Sequence, residues 1–127
     1  RECIKNNIQA EALPGATAFV PALVGSGLSS EKFVFEGFLP VKKGRSKSLL
    51  RLAQETRTII LYESPHRILK TLDALIKTLG NDRQVSVSRE LTKIYEETKR
   101  GSLEEIYKYF SEKKIKGEFV IVISGKK

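Results

Sequence analysis

The sequence contains no methionine, one cysteine and one histidine, and each shortage closes off a class of explanation. Cys3 alone cannot form a disulfide within the chain, so a reducing, cytoplasmic setting is expected. Its usual chemical partners are missing too, so a reactive thiol is not expected. One histidine and one cysteine cannot build a transition-metal site, which leaves a weakly carboxylate-held Mg²⁺ as the sole metal option. No apolar run approaches the roughly 20 residues that span a bilayer, and no basic-then-apolar secretory leader is legible. No GxxxxGK phosphate loop and no serine–histidine–acid arrangement can be read. The "GSG" at Gly25 to Gly27 closes an apolar helix instead of opening one after a strand, so it is not a dinucleotide fingerprint. There is no internal repeat and no low-complexity segment. Acidic residues are also scarce: 15 Asp+Glu stand against 23 Lys+Arg, for a net charge of +8 in 127 residues. That excess favours a polyanionic partner, nucleic acid above all, although many basic chains bind nothing anionic. The missing methionine, the start at Arg1 and the helix-tail character of "RECIKNN" lead us to expect a piece of a longer protein.

The residues present alternate between strand and helix patterns. Ile8 to Leu13 alternates as a strand ending at the turn "PG". Ala16, Phe19, Val20, Leu23 and Val24 recur at helical spacing, with Pro21 making that helix short or kinked. Lys32 to Phe38 reads as a strand with Phe33 and Phe35 on one face. Ser46 is a candidate cap for a helix carrying Leu49, Leu50 and Ala53. Arg57 to Tyr62 is β-branched and apolar, as a buried strand is. Ser64 then suits an N-cap and Pro65 a first helical residue, ahead of the stripe Ile68, Leu69, Leu72, Leu75, Ile76 and Leu79 that Gly80 ends. Gln84 to Arg89 alternates as a strand, and Tyr95 to Gly101 can return antiparallel to it. Ser102 and Glu105 spell a capping box for a helix bearing Leu103, Ile106, Tyr107 and Phe110. Gly117 to Ser124 is a last buried strand. From Ser30 onward the order β-α-β-α-β-β-α-β predicts one α/β unit on a mixed, five-stranded sheet with flanking helices.

Chemistry-bearing residues gather where strands end. In open α/β sheets, ligands collect outside the carboxyl ends of strands. "YESPHR" occupies that position after Arg57 to Tyr62, and "RELTK" follows Gln84 to Arg89 in the same way. Capping accounts for Ser64 and Pro65 but requires neither Glu63 nor Arg67. His66, in a first helical turn, is more often solvated than catalytic. The stretch "VKKGRSKSLLR" holds Lys42, Lys43, Arg45, Lys47 and Arg51 with no acidic residue, a density that suits phosphate contacts or a merely solvated loop.

In order and spacing, "ALPGATA", "VGSGL", "FVFEGFLPVKKGR", "TIILYESPHRI", "VSRELTKIYEE" with "KRG", and "KGEFVIVI" resemble the C-terminal part of the ribosomal RNA small-subunit methyltransferases. These belong to the tetrapyrrole (corrin/porphyrin) methylase superfamily, the class III S-adenosylmethionine-dependent methyltransferases. The resemblance runs from about Ile8 to Ile123. It implies a two-domain, homodimeric enzyme with S-adenosylmethionine in the cleft between domains, no metal, and methylation of a cytidine ribose 2′-hydroxyl in small-subunit (16S) rRNA. By the same resemblance, residues 1–13 are the last helix and strand of the N-terminal cofactor domain. Residues 14–29 are a connecting turn and helix, and residues 30–127 the C-terminal α/β domain.

Carried over position by position, the resemblance implies cofactor contacts from Pro14, Gly15 and Thr17, which match a "PGxSA" turn with Thr for Ser. It implies further contacts from Tyr62, Glu63 and Ser64 on the methionine side, and from Glu118, Phe119 and Val120 on the adenine side. Glu63 and Arg67 are the expected catalytic pair, one orienting cofactor or ribose, the other meeting RNA phosphate or pairing with Glu63. The bland alternative is a local ion pair. Lys42, Lys43, Arg45, Arg67, Arg89, Lys93 and Arg100 are the expected RNA contacts. Two other readings stay open on the sequence: methylation of a tetrapyrrole carbon, and a non-catalytic RNA-binding domain when the chain stands alone. Glu63→Gln is expected to reduce methylation at a nearly unchanged melting temperature.

Overall fold

A computed structural model describes all residues from Arg1 to Lys127. Its elements follow the order α1 (Glu2–Lys5), α2 (Phe19–Ser26), β1 (Phe33–Phe38), α3 (Arg45–Ala53), β2 (Thr58–Glu63), α4 (Ile68–Leu79), β3 (Gln84–Arg89), β4 (Glu97–Ser102), α5 (Leu103–Ser111) and β5 (Phe119–Ile123). The strands form a single five-stranded sheet in the order β1-β2-β5-β3-β4. β1 runs parallel to β2, and every other neighbouring pair is antiparallel. The mixed α/β architecture is thus the expected one.

Two apolar layers sandwich the sheet. Because strand side chains alternate between faces, Ile59 and Leu61 of β2 join α3, α4 and α5 in the larger core with Leu49, Leu52, Leu72 and Phe110. Ile60 points the other way and meets Ala22 and Leu23 of α2 together with Val120 and Val122. The β5 sequence "FVIVI" is buried along its whole length, as a strand covered on both faces must be.

Local sequence explains most element ends. Ser102 and Glu105 close a reciprocal capping box: Ser102 Oγ accepts from the Glu105 N–H at 3.2 Å and Glu105 Oε2 accepts from the Ser102 N–H at 2.8 Å. Pro21 falls in the first turn of α2, where an N–H has no intrahelical partner anyway, so this short helix runs past it. Gly27 ends α2 in the left-handed region (φ 75°).

Three local expectations differ. Ile8 to Leu13 forms no strand; an alternating strip needs a neighbour for its N–H and C=O groups, and none of the five strands pairs with it. Ser46 does not cap α3, which begins one residue earlier behind Gly44 at φ 86°. The Ser64 hydroxyl makes no capping bond. Instead its carbonyl accepts the N–H groups of Arg67 and Ile68, each at 3.1 Å, and α4 starts at Ile68 after a turn.

β1 carries an irregularity that matters for the site. Phe35 pairs with Ile60 and Gly37 with Leu61, so Glu36 is an extra residue, and Gly37 adopts φ 64°. A bulge inverts the facing of everything after it. Phe38 therefore returns to the side occupied by Phe33 and Phe35.

Candidate functional site

The bulge, the end of β2 and the start of β5 meet at one concavity. In the β2–β5 register Tyr62 lies opposite Val120 and Glu63 opposite Phe119. Around them a cavity of about 390 Å³ is lined by Ala18, Phe38, Tyr62, Glu63, Ser64, Pro65, Glu118, Phe119 and Val120. Its floor is apolar and aromatic. The Tyr62 ring makes edge contacts with Phe35 (centroids 5.0 Å apart) and Phe38 (5.8 Å), and Phe35 stacks on Phe19 of α2 at 4.9 Å. Such pairs hold rings in place beyond their simple burial.

Tyr62, Glu63 and Ser64 thus line one cavity with Glu118, Phe119 and Val120. Pro14, Gly15 and Thr17 do not line the cavity. They lie exposed on the segment entering α2, and only the adjoining Ala18 reaches it. Phe38 was not among the expected site residues; the signal was Gly37, whose positive φ permits the bulge.

Glu63 is placed differently from its neighbours. It shares a sheet face with Ile59 and Leu61, so its side chain is fully buried while the residue as a whole is 2% exposed. What solvent reaches is main chain. Oε1 accepts the Ser64 N–H at 2.7 Å and pairs with Arg67 Nη2 at 3.0 Å. Oε2 accepts the Thr71 hydroxyl at 2.6 Å. Arg45 extends the chain of contacts, donating to Thr71 Oγ1 at 2.8 Å and to the Pro40 carbonyl at 3.2 Å. Arg67 retains a buried Nη1 with no partner. Glu63 and Arg67 therefore form a pair directed at α4.

The start of β5 is braced by "RELTK". Glu90 (φ 50°) donates its N–H to the Glu118 carbonyl at 3.0 Å and accepts the Glu118 N–H on Oε1 at 2.9 Å. That main-chain bond, reinforced by Lys93, holds the Glu90 carboxyl below the usual range. Lys93 is raised by its bonds to Glu90 and Glu118. Gly117 (φ 92°) leaves room for the Glu90 carboxylate: a Cβ there would lie 2.8 Å from Oε1. Glu90 was marked in the sequence only as part of "RELTK", and Thr71 carried no signal of its own.

The expected RNA-contact residues divide into two groups. Lys42 and Lys43 are exposed and form no ion pair. Arg67 holds Glu63, Arg89 lies 3.3 Å from Glu97, and Lys93 bridges Glu90 and Glu118 at 3.0 and 3.1 Å. Arg45 serves the Thr71 network, and Arg100 donates through Nε and Nη2 to the Gly25 carbonyl. No cluster of three metal-ligating side chains exists, and no helix is long and apolar enough to cross a membrane.

The mixed sheet with its flanking helices is a fold shared with solved tetrapyrrole methyltransferases. The chain matches a cobalt precorrin-4 methyltransferase of cobalamin biosynthesis over 95% of its length and 54% of that chain, with TM-score 0.69 and 18% identity. A uroporphyrin-III C-methyltransferase from Thermus thermophilus, complexed with S-adenosyl homocysteine, matches over 94% of this chain and 55% of its own, with TM-score 0.57 and 17% identity. Residues 1–107 match the family Tetrapyrrole (Corrin/Porphyrin) Methylases, and the chain belongs to that family. A ribosomal RNA small subunit methyltransferase I of Synechocystis sp. is 52% identical over 124 residues, covering 97% of this chain and 44% of that protein. The chain spans about half the length of the curated relatives it matches.

Proposed function

We propose that the chain is the C-terminal half of a cytoplasmic, homodimeric S-adenosylmethionine-dependent methyltransferase that modifies a cytidine 2′-hydroxyl in small-subunit rRNA. The observation that carries this reading is the convergence of Tyr62–Ser64 with Glu118–Val120 around one aromatic concavity, in a chain 52% identical to a named rRNA methyltransferase.

The cavity fits the cofactor as one wall of a shared cleft. Its volume of about 390 Å³ falls in the range of roughly 300–1,000 Å³ usual for small-molecule sites. Phe38, Tyr62 and Val120 offer apolar surface to a heterocycle and its ribose, whereas the Phe119 ring packs on Phe110 in the opposite core and brings only main chain to the cavity. The Glu118 N–H is committed to Glu90, so the adenine side falls to the Val120 side chain and the main chain beside it. When bound, the cofactor would supply a sulfonium methyl to the ribose oxygen, the S–CH3 bond breaking to leave the neutral thioether as the 2′-hydroxyl gives up its proton to solvent. The chain's own residues align and exclude water; with a good leaving group in place, alignment accounts for most of the task. Glu63 and Arg67 act as positioning residues, fixing the turn that carries Ser64 and Pro65 into the cavity wall. Lys42 and Lys43 remain available for RNA phosphate.

The test uses the longer enzyme that contains this chain, a labelled methyl donor, and two acceptors: unmodified small ribosomal subunits and a porphyrinoid precursor. Label in rRNA that is resistant to alkaline hydrolysis at one cytidine is the expected result. Transfer to the porphyrinoid alone would overturn the assignment.

A further inference from the structure

A second concavity lies across Gly117 from the first. It measures about 440 Å³ and is lined by Arg89, Glu90, Tyr95, Lys114, Lys116 and Gly117. Gly117 and Glu118 are adjacent residues, one in each wall, so the two hollows flank a single stretch of backbone. Lys114 and Lys116 are exposed and form no ion pair. Arg89 keeps a buried Nε without a partner. The Glu90 carboxylate, the single acid in the lining, is turned inward onto the Glu118 N–H and Lys93.

The loop between β3 and β4 gives this basic hollow an aromatic rim. Tyr95 is 74% exposed and its neighbour Ile94 is 94% exposed. Neither position is the product of a loose loop. Glu90 and Thr92 hold φ values of 50° and 66°, a conformation non-glycine residues adopt only when their surroundings enforce it. The Thr92 N–H donates to Glu96 Oε2 at 2.6 Å, the Lys93 N–H to the Glu90 carbonyl at 3.0 Å, and the Glu96 N–H to the Lys93 carbonyl at 3.1 Å. A pinned loop that exhibits an uncovered phenol ring beside unpaired ammonium groups has the composition of a stacking platform for single-stranded nucleic acid.

We propose that this hollow binds a nucleotide of single-stranded RNA, its base on the Tyr95 ring and its phosphate between Lys114 and Lys116. It would thereby hold a strand whose neighbouring residue enters the methyl-transfer cavity. The proposal rests on the rRNA reading for the identity of the strand, but its test needs no methyl transfer.

The probe is a 5′-fluorescein single-stranded RNA oligonucleotide, titrated with this chain and read by fluorescence anisotropy. Tyr95→Ala is expected to weaken binding roughly tenfold, in keeping with one lost base stack, while leaving the salt slope unchanged. Tyr95→Phe should bind like the parent. The double change Lys114→Gln with Lys116→Gln should flatten the slope of log K against log salt by about 1.4, from roughly 0.7 for each lost contact to a single strand. Unaltered affinity of Tyr95→Ala, no RNA binding by the parent chain, or displacement of the RNA by polyglutamate as readily as by unlabelled RNA would each overturn the proposal. Porphyrinoid methylation by the longer enzyme, with Tyr95-dependent RNA binding intact, would instead count against the acceptor assignment alone.

Discussion

The hydroxyl of Thr71 lies 2.6 Å from Glu63 Oε2 and 2.8 Å from Arg45 Nη2. It donates its single proton to the carboxylate and accepts from the guanidinium, so one side chain on α4 joins the start of α3 to the end of β2. Replacing it with the isosteric Val removes both hydrogen bonds at once and leaves Glu63 Oε2 buried without that donor. Thr71→Val should cost about 1–3 kcal/mol, read from urea unfolding, whereas Thr71→Ser should keep most of that stability.

Glu63→Gln should lower stability as well as methylation, which differs from the near-unchanged melting temperature expected on the sequence. The carboxylate is wholly buried and its partner Arg67 is 24% exposed. Loss of this pair should cost on the order of 2–3 kcal/mol, less than for two fully buried charges. Circular dichroism melting of the variant beside the parent checks it; equal melting temperatures would mean that the pair holds nothing.

Gly117→Ala adds a methyl group against Glu90 and imposes φ 92° on an L-residue. About 1–3 kcal/mol of destabilisation is expected from the backbone alone. Because the Glu90 side chain supplies the steric part, the same change in a Glu90→Ala background should cost less. A double-mutant cycle in urea measures the difference, and strict additivity would show that the two residues do not press on each other.

Acid should unfold the chain through a defined set of carboxylates. Hydrogen bonds from Arg57 lower Glu55 to about 2. Main-chain N–H groups lower Glu90 and Glu105. A depressed folded-state value means stability that is complete above the unfolded value, roughly 4.3 for Glu, and lost as pH falls from there toward 2. Melting temperature should be flat with respect to these groups above about pH 5 and decline below it, and Glu55→Gln should soften that decline.

Lys42 and Lys43 are the exposed, unpaired members of the β1–α3 loop among the expected RNA contacts. Changing both to Gln in the longer enzyme should weaken rRNA binding and flatten its salt dependence by one to two, at roughly 0.7–0.9 for each lost contact. Binding titrations at several salt concentrations decide the matter.

The sequence carried the order of elements because each has a local cause: β-branched runs, the stripe of α4, the Ser102–Glu105 box. It misled where a local cue had a competitor. Ser64 resembles a cap, yet its hydroxyl makes no bond and its carbonyl takes the first turn. Ile8 to Leu13 has strand alternation but no strand to pair with. Phe38 escaped notice because a single inserted residue, Glu36, reverses facing, and periodicity read in a straight line assigns it to the wrong side. Thr71, Arg45 and Glu90 owe their positions to contacts across 8, 26 and 28 residues, a separation at which pattern reading has no purchase. The convergence of "YES" with "EFV" was legible only because both stretches resemble a known family.

The Arg100 guanidinium on the Gly25 carbonyl has a mechanical corollary. Together with Leu23 seated on the sheet it ties α2 to the edge strand β4, while Thr58 Oγ1 on the Ser29 carbonyl at 2.6 Å ties the segment after α2 to β2. That helix therefore travels with the strands beneath it as one body, and cutting the Arg100 tether should free it before it frees the sheet.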